Sequence, residues 1–155
     1  LNVHSRRDAD IALLSVLAEP EGPTLQLAQP LPGAADATGT GAGTDPALYG
    51  KAALLTLGYV AGAPGSPPTI KVSQGALSAA PPDAAGRLHA DGPVEPWSVG
   101  GPALLTATGQ VVGMITYGSD QASGGERYYL LTPASVLGKE LREQAVAKAR
   151  IGKAR

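Results

Sequence analysis

Short apolar segments separated by glycine and proline are the feature that most constrains the fold of this chain. The 155 residues include 21 glycines and 14 prolines, and this composition favours many turns between short strands. Six apolar runs of strand length cover residues 52–60, 69–78, 86–89, 103–106, 111–117 and 127–131. Short strands at this spacing are typical of an antiparallel barrel or sandwich. The sequence therefore predicts an all-β domain.

Turn and helix signals follow two of these runs. Thr108 and Gly109 lie between apolar runs, and the glycine can supply the positive φ of a tight hairpin turn. Thr132 and Pro133 provide a hydroxyl N-cap and a proline at the first helical position. The predicted C-terminal helix places one face on the barrel, and this face carries Leu137, Leu141 and Ala145.

The N-terminal part of the chain is less regular. Residues 10–17 form a continuous apolar run, which predicts a strand buried on both faces. Residues 33–46 form a Gly/Ala/Thr-rich stretch without periodicity, which predicts a flexible insertion or a linker. The chain begins at Leu1 rather than at a methionine and leads directly into an apolar strand. We therefore expect that an upstream segment was removed.

The charge and composition exclude several function classes. A net charge of -1 and a pI of about 6.1 give no electrostatic footprint for nucleic acid, and the basic tail at residues 148–155 is interpreted as a solvated helix end. The absence of cysteine excludes a disulfide framework and a cysteine nucleophile. No apolar run approaches the roughly 18 residues of a membrane helix, so we expect no membrane-spanning segment. We also expect no cofactor and no metal site.

The loop at residues 91–102 carries a family resemblance. Its sequence is Asp-Gly-Pro-Val-Glu-Pro-Trp-Ser-Val-Gly-Gly-Pro. It resembles the nucleophile loop of trypsin-like serine proteases, most closely that of their bacterial high-temperature-requirement branch, which carries Gly-x-Ser-Gly-Gly-Pro. The Gly-Gly-Pro end fixes the register. The resemblance therefore implies that Val99 occupies the nucleophile position and that Trp97 occupies the position of the oxyanion-hole glycine.

Further segments resemble the same family in the same order along the chain. They are residues 10–14, 50–59, 70–78, 100–118 and 129–133. The resemblance implies a trypsin-like antiparallel β-barrel, with the second barrel complete and the first only partly present, followed by a C-terminal α-helix. It divides the chain into a first-barrel remnant with the interbarrel linker at 1–32, the flexible loop at 33–46, the second barrel at 47–132, and the helix and basic tail at 133–155. It also implies a periplasmic or secreted location.

The residues at the catalytic positions do not suit acyl transfer. A serine protease needs a hydroxyl whose proton a histidine can accept, and Val99 has none. Ser98 offers a hydroxyl one position earlier, but neighbouring side chains point in different directions. Trp97 stands where a glycine permits the backbone turn of the oxyanion hole. We therefore expect an inactive homologue.

Other positions keep more than one interpretation. The resemblance assigns Asp10 to the catalytic aspartate, whose histidine partner lies upstream in the family; otherwise Asp10 is a carboxylate that caps a turn at the start of a strand. Trp97 either anchors a ligand in the former cleft or packs over it as a plug. Thr116, Tyr117 and Gly118 correspond to the strand edge with which family members pair a substrate backbone, and they predict a peptide-binding edge.

Three functions are compatible with these residues. The first is an inactive protease homologue that binds an extended peptide or protein in the former substrate cleft. The second is an active serine endopeptidase that uses Ser98 and is completed by a missing N-terminal barrel. The third is a structural or metal-binding module that uses His4 and His89, although isolated histidines are usually surface residues.

Overall fold

Strands and one long helix are the main elements of the residues that the structure describes. The computed structural model describes residues 2–6, 11–15, 22–28, 50, 52–80, 82–92, 95–119 and 128–153. The strands are β1 (Asn2–Arg6), β2 (Ile11–Ser15), β3 (Ala53–Val60), β4 (Thr69–Leu77), β5 (Leu88–Asp91), β6 (Pro102–Leu105), β7 (Val111–Ser119) and β8 (Tyr128–Pro133), and they are followed by α1 (Ala134–Lys153).

Six of the strands close into an antiparallel barrel. Their order around the barrel is β3-β4-β5-β8-β7-β6, and β1 and β2 form a separate two-stranded antiparallel sheet. Closure leaves few unpaired strand edges, and this stabilises short strands that could not fold as an open sheet. The predicted all-β fold with a C-terminal helix is confirmed.

The barrel interior is filled mainly by aliphatic side chains. Along β3, the inward positions 54, 56 and 58 alternate with more exposed ones, which is the period-2 pattern of a strand with one buried face. The core contains Leu54, Leu77, Leu88, Ala90, Ala103, Leu105, Val112, Ile115, Tyr129 and Leu131. Because the chain has no phenylalanine, branched aliphatic residues supply most of this buried volume.

A side-chain-stabilised turn delays the start of β5 relative to the prediction. Asp83 accepts hydrogen bonds from the backbone N–H groups of Ala85, at 3.0 Å, and Arg87, at 2.8 Å. Gly86 has a φ of +77°, which favours glycine. Burial alone would raise the pKa of Asp83, but its hydrogen bonds and ion pair with Arg87 lower it overall. The turn therefore occupies residues that the sequence assigned to the strand.

The hairpin turn and the helix start are close to their predicted positions. Gly109 has a φ of +70°, as predicted, and its N–H donates to the Leu105 carbonyl at 2.7 Å. Pro133 lies opposite Gly113 in the β7–β8 ladder, so β8 continues through Pro133. The helix consequently begins at Ala134, one residue later than predicted.

The helix face that packs on the barrel differs from the predicted one. Ala134 and Glu140 are buried, whereas Leu141 is half exposed and Ala145 is exposed. The prediction was therefore wrong for these last two residues. A Cβ on Gly138 would lie 3.6 Å from Leu27 Cδ1, so the helix also packs against the segment at residues 22–28, and this contact helps to set its rotation.

The prediction for β2 was also wrong in its burial. Ile11 is buried, but Ala12 is exposed and Leu14 is 62% exposed. Among the described residues β2 pairs only with β1, and pairing occupies an edge of a strand, so burial of both faces would need further elements packed above and below the sheet. A continuous apolar run therefore does not by itself show burial on both faces.

A segment before the barrel is fixed to the start of β7. The Ala28 N–H donates to the Val111 carbonyl at 2.8 Å, and the Val111 N–H donates to the Gln26 carbonyl at 2.8 Å. These bonds hold Leu25 beside the barrel. The predicted flexible loop at residues 33–46 lies outside the described residues. In the part of the chain that the structure describes, no helix combines the length and apolar character needed to cross a membrane.

Candidate functional site

A short 3-10 helix, Pro96–Ser98, lies within the loop that joins β5 to β6. Pro96 suits its start because the fixed φ of proline matches the first helical turn. The Ser98 N–H donates to the Glu95 carbonyl at 2.9 Å, and the Ser98 hydroxyl donates to the same oxygen at 2.7 Å. Ser98 is only 4% exposed. The hydroxyl of this serine is therefore turned into the loop rather than toward solvent.

Val99 follows the 3-10 helix and points outward. Its backbone is extended, with φ of −63° and ψ of 132°, and its side chain is 50% exposed. Gly100 then has a φ of +82°, a left-handed conformation that glycine adopts without strain. The Gly100 N–H donates to the Ile115 carbonyl at 2.7 Å, and this bond anchors the loop to β7. Val99 thus lies, with its side chain half exposed, in a tight turn that is hydrogen-bonded to β7.

Two glycines allow the loop to approach β3 closely. A Cβ on Gly58 would overlap the Trp97 carbonyl oxygen and would lie 2.6 Å from the indole carbon Cε3. A Cβ on Gly101 would overlap the Leu57 carbonyl oxygen. Trp97 is half-buried against β3 as a result of this approach. Any larger residue at position 58 would push the indole and its backbone away from the barrel.

An apolar groove of about 510 Å³ lies beside this loop. Its described lining consists of Leu25, Leu57, Gly58, Tyr59, Ile70, Trp97, Val99, Gly100, Gly101 and Pro102. The phenol of Tyr59 is the one titratable group in that lining, which contains no histidine. Trp97 forms part of the groove wall.

The edge of β7 begins where the loop is anchored. The Ile115 N–H donates to the Gly101 carbonyl at 2.9 Å, and beyond Ile115 the strand continues as residues 116–119. A register shift between Ile115 and Tyr117 bends β7 where it pairs with β8, and the Thr116 hydroxyl donates to the Leu130 carbonyl at 3.3 Å. Among the described residues, no strand pairs with the opposite edge of residues 116–119. Gly100 and Gly101 of the groove lining are therefore hydrogen-bonded to Ile115, just before this edge.

The family comparison covers the N-terminal three-quarters of the chain. A family model described as trypsin-like peptidase domain matches residues 2–114, which include the loop around Val99. The chain belongs to the trypsin-like peptidase domain family. A comparison with curated proteins finds no match. The trypsin-like match ends at Met114, so the β7 edge at residues 116–119 lies just beyond it.

The structure brings together some of the predicted site residues of this trypsin-like domain. Val99 and Trp97 both line the groove, and Thr116 begins the adjoining edge. Tyr117 and Gly118 continue β7, where they pair with Leu130 and Tyr129, respectively. Asp10 lies outside the described residues, so its role stays a prediction.

The two histidines are separated in the fold. His4 lies in β1. His89 lies in β5, where it is half-buried and interacts with a neighbouring group. The described residues contain no group of three or more His, Cys, Asp or Glu side chains that could hold a metal ion.

Five residues of the groove wall were not among the predicted site residues, namely Leu57, Gly58 and the exposed Leu25, Tyr59 and Ile70. Tyr59 and Ile70 lie directly opposite each other in the β3–β4 ladder, and all three side chains are more than half exposed. One signal could have revealed the strand pair. Both residues lie near the ends of their strands, next to the segment at residues 61–68 that joins them, where a strand that only packs a core usually carries polar residues.

One buried tyrosine in the barrel core, outside the groove lining, has a raised pKa. Burial, and secondarily the negative charge of Asp91, raise the pKa of Tyr129 to about 12. The Tyr129 hydroxyl has no hydrogen-bond partner among the described residues, and a Cβ on Gly75 would lie 2.7 Å from it. Tyr129 is therefore a neutral core residue near pH 7 and does not line the groove.

Proposed function

We propose that this trypsin-like domain is proteolytically inactive and binds an extended peptide or protein segment in its former substrate cleft. The observation that carries the proposal is Val99. It is held outward at the anchored turn before Gly100 and Gly101, next to an open apolar groove. In the family pattern this position carries the attacking serine. An isopropyl side chain there has no proton to lose and no lone pair with which to attack a carbonyl.

The geometry of Ser98 supports inactivity. Its hydroxyl is buried and donates to the Glu95 carbonyl within its own loop. A nucleophile must instead reach the substrate carbonyl and pass its proton to a base. The alternative of an active endopeptidase that uses Ser98 would require the 3-10 helix to unwind, and we do not favour it.

The position of Trp97 gives further support. An oxyanion hole requires backbone N–H groups that converge on one point in the cleft. At position 97 the family pattern has a glycine, and here a bulky indole and its backbone carbonyl are packed against Gly58. Loss of one such donor typically lowers turnover by about 100-fold to 1,000-fold. Two independent changes therefore act against acyl transfer.

The peptide-binding part of the proposal is supported by the edge of β7. Main-chain pairing with an added strand needs exposed backbone groups and no nucleophile. Among the described residues no strand pairs with one edge of residues 116–119, and this supports the proposed pairing. Family membership also favours a periplasmic or secreted location, and the Gly-Gly-Pro end of the loop resembles the motif of the bacterial high-temperature-requirement branch.

Inactivity is tested by proteolysis and by active-site labelling. We expect the wild-type chain to leave unfolded casein intact and to resist a serine-directed fluorophosphonate. The Val99→Ser variant is expected to behave in the same way, because Trp97 still occupies the oxyanion position and no histidine is among the described lining of the groove. Ser98→Ala serves as the matched control. Casein cleavage or labelling that is lost in Ser98→Ala would show that Ser98 is a working nucleophile and would overturn the proposal.

Peptide binding is tested with a library of extended peptides measured by fluorescence polarisation. The tightest peptide is then prepared in versions that are N-methylated at single, adjacent residues. Because N–H groups alternate between the two edges of a strand, only one of two neighbouring methyl groups should face β7. We expect one version to lose at least about tenfold in affinity and the other to bind normally. Equal effects, or no binding peptide at all, would contradict addition of a strand to β7.

A further inference from the structure

β4 extends beyond its neighbour β5, and one of its edges has no partner strand. β4 pairs with β3 along residues 69–76, but it pairs with β5 only at Ala76 and Leu77. Among the described residues, no strand pairs with the β5 side of residues 69–74. An unpaired edge presents backbone donors and acceptors to which another extended segment can hydrogen-bond.

The unpaired part of β4 is short, because both of its ends are bounded. Pro67 and Pro68 precede the strand, and proline has no N–H to offer to a partner. At the other end, a Cβ on Gly92 would lie 3.1 Å from the Gln74 carbonyl oxygen, so the chain after β5 approaches the strand there. Residues 69–73 therefore form what we call the free β4 edge.

The hydrogen bonds at the end of β4 show which backbone groups face the free edge. The Leu77 N–H donates to the Ala52 carbonyl at 2.9 Å, and the Gly50 N–H donates to the Leu77 carbonyl at 2.8 Å, both on the β3 side. The β3–β4 register then runs without a shift. Because backbone groups of successive residues alternate between the two edges of a strand, the N–H and C=O groups of Ile70 and Val72 face the free edge.

The same two residues expose apolar side chains. Ile70 is 57% exposed and Val72 is 56% exposed. Leu77 is buried in the barrel core, so the period of two along the strand places Ile70 and Val72 on the outer face of the sheet. Natural proteins usually protect an exposed edge of this kind from pairing. The outer face beside the edge therefore offers apolar contact to an added strand.

Lys71 lies between these residues and selects the partner. It is exposed, its opposite residue in β3 is Gly58, and no carboxylate among the described residues forms an ion pair with it. If two copies paired antiparallel through Ile70 and Val72, the two Lys71 side chains would lie directly opposite each other. Like charges at such positions destabilise a pair of strands, whereas opposite charges stabilise it. Lys71 therefore disfavours a second copy and favours an acidic partner.

We propose that the free β4 edge is a second binding site, which pairs antiparallel with an extended segment that has Asp or Glu opposite Lys71. The residues on either side of this acid are apolar and lie opposite Ile70 and Val72. β4 is not a neighbour of β7 in the barrel, and the pairing needs no nucleophile. The inference thus goes beyond the proposed function and does not depend on it.

Charge reversal tests the role of Lys71. The probes are two fluorescein-labelled peptides, Ser-Thr-Val-Glu-Val-Thr-Ser and the same peptide with Lys at its centre. We expect the whole chain to bind the Glu peptide at least about threefold more tightly in fluorescence polarisation, and Lys71→Glu to reverse this order. Lys139→Glu on α1 changes the net charge equally and should keep the wild-type order. An unchanged order in Lys71→Glu, or no binding of either peptide, would overturn the inference.

Hydrogen exchange of the isotope-labelled chain tests the location of the bound peptide. With the Glu peptide bound, the Ile70 and Val72 amides should gain protection, because they face the added strand. The Lys71 and Ser73 amides face β3 and should change little. Protection gained at Tyr117 instead of Ile70 and Val72 would place the peptide on β7 and would overturn the inference.

A proline variant tests the backbone contribution. Val72→Pro removes an N–H that faces the free edge and takes no hydrogen bond from the β3–β4 ladder, whereas Val72→Thr keeps this N–H. We expect Val72→Pro to bind the Glu peptide at least about tenfold more weakly and Val72→Thr to stay within about threefold of the wild type. Urea unfolding confirms that both variants fold. Equal binding by the two folded variants would contradict main-chain pairing at β4.

The outcomes separate this inference from the proposed function. Binding of the Glu peptide that reverses in Lys71→Glu would stand even if the chain cleaved casein or if no peptide paired with β7. Protection of Ile70 and Val72 that increases with protein concentration in the absence of peptide, together with dimers in analytical ultracentrifugation, would assign the free β4 edge to a second copy. That result would overturn the inference and leave the proposed function unaffected.

Discussion

Tyr129 shows how one buried polar group can cost stability without taking part in the site. Its hydroxyl is buried, has no hydrogen-bond partner among the described residues and lies near Asp91. Burial first, and then the nearby carboxylate, disfavour the phenolate and raise the pKa of Tyr129 to about 12. The ordinary value of 10.0 applies in the unfolded chain. Ionisation of Tyr129 therefore does not lower the free energy of unfolding below pH 10, and it begins to do so above that pH.

We predict that the free energy of unfolding contains a Tyr129-dependent decrease as the pH rises from about 10 to about 12, since the unfolded chain releases the phenolic proton first. Tyr129→Phe removes the unpaired hydroxyl, so its stability at pH 7 should equal or exceed that of the wild type. Its loss of stability across this pH window should also be smaller. Urea unfolding of both proteins at pH 7, 10 and 11 measures the difference. Parallel pH curves would show that Tyr129 titrates normally in the folded chain.

At the scale of elements, the 3-10 helix depends on a contact with β3 that the linear sequence does not display. Gly58 lies in β3 and Trp97 lies in the loop after β5, yet the two residues are packed so closely that a Cβ would not fit between them. Gly58 does not have a positive φ. A glycine is therefore required at this position for the close approach of Trp97 and not for its backbone conformation. The position of Trp97 is therefore set by another element.

We predict that Gly58→Ala displaces Trp97 from β3. The chain has one tryptophan, so its fluorescence reports on this site alone. In the variant we expect red-shifted emission and stronger quenching by acrylamide, because the indole becomes more exposed to solvent. Gly138→Ala is the control, since a Cβ there meets neighbours only at 3.4 Å or more. Unchanged emission from Gly58→Ala would mean that the loop does not rest on β3.

The sequence predicted the elements better than their relative placement. Short apolar runs and the Gly/Pro turns between them located the barrel strands, because those signals are local. Asp83 and Gly86 displaced the start of β5 through a turn whose hydrogen bonds depend on three-dimensional geometry. The groove wall was missed because Tyr59 and Ile70 become neighbours only through the β3–β4 register. The loop motif at residues 99–102 could be recognised in the sequence because its residues are contiguous.

At the scale of the whole molecule, the closed barrel supports both the groove-lining loop and the edge of β7. The loop with Val99 is anchored to β7 through Ile115, and it rests on β3 through Gly58. The same loop thus lines the apolar groove and is hydrogen-bonded to β7, and the residue at its turn is Val99, whose side chain has no hydroxyl. The proposed binding to a preformed surface of this kind would require little ordering of the protein.

The most direct test of this account is an NMR titration of the isotope-labelled whole chain with the tightest-binding extended peptide. We predict that the largest amide shifts fall on Tyr117, Gly118 and Val99, and that edge amides of β7 gain protection from hydrogen exchange as they pair with the added strand. The peptide should remain uncleaved throughout. Shifts confined to α1 or to the β1–β2 sheet, or cleavage of the peptide by the wild-type chain but not by Ser98→Ala, would contradict the account.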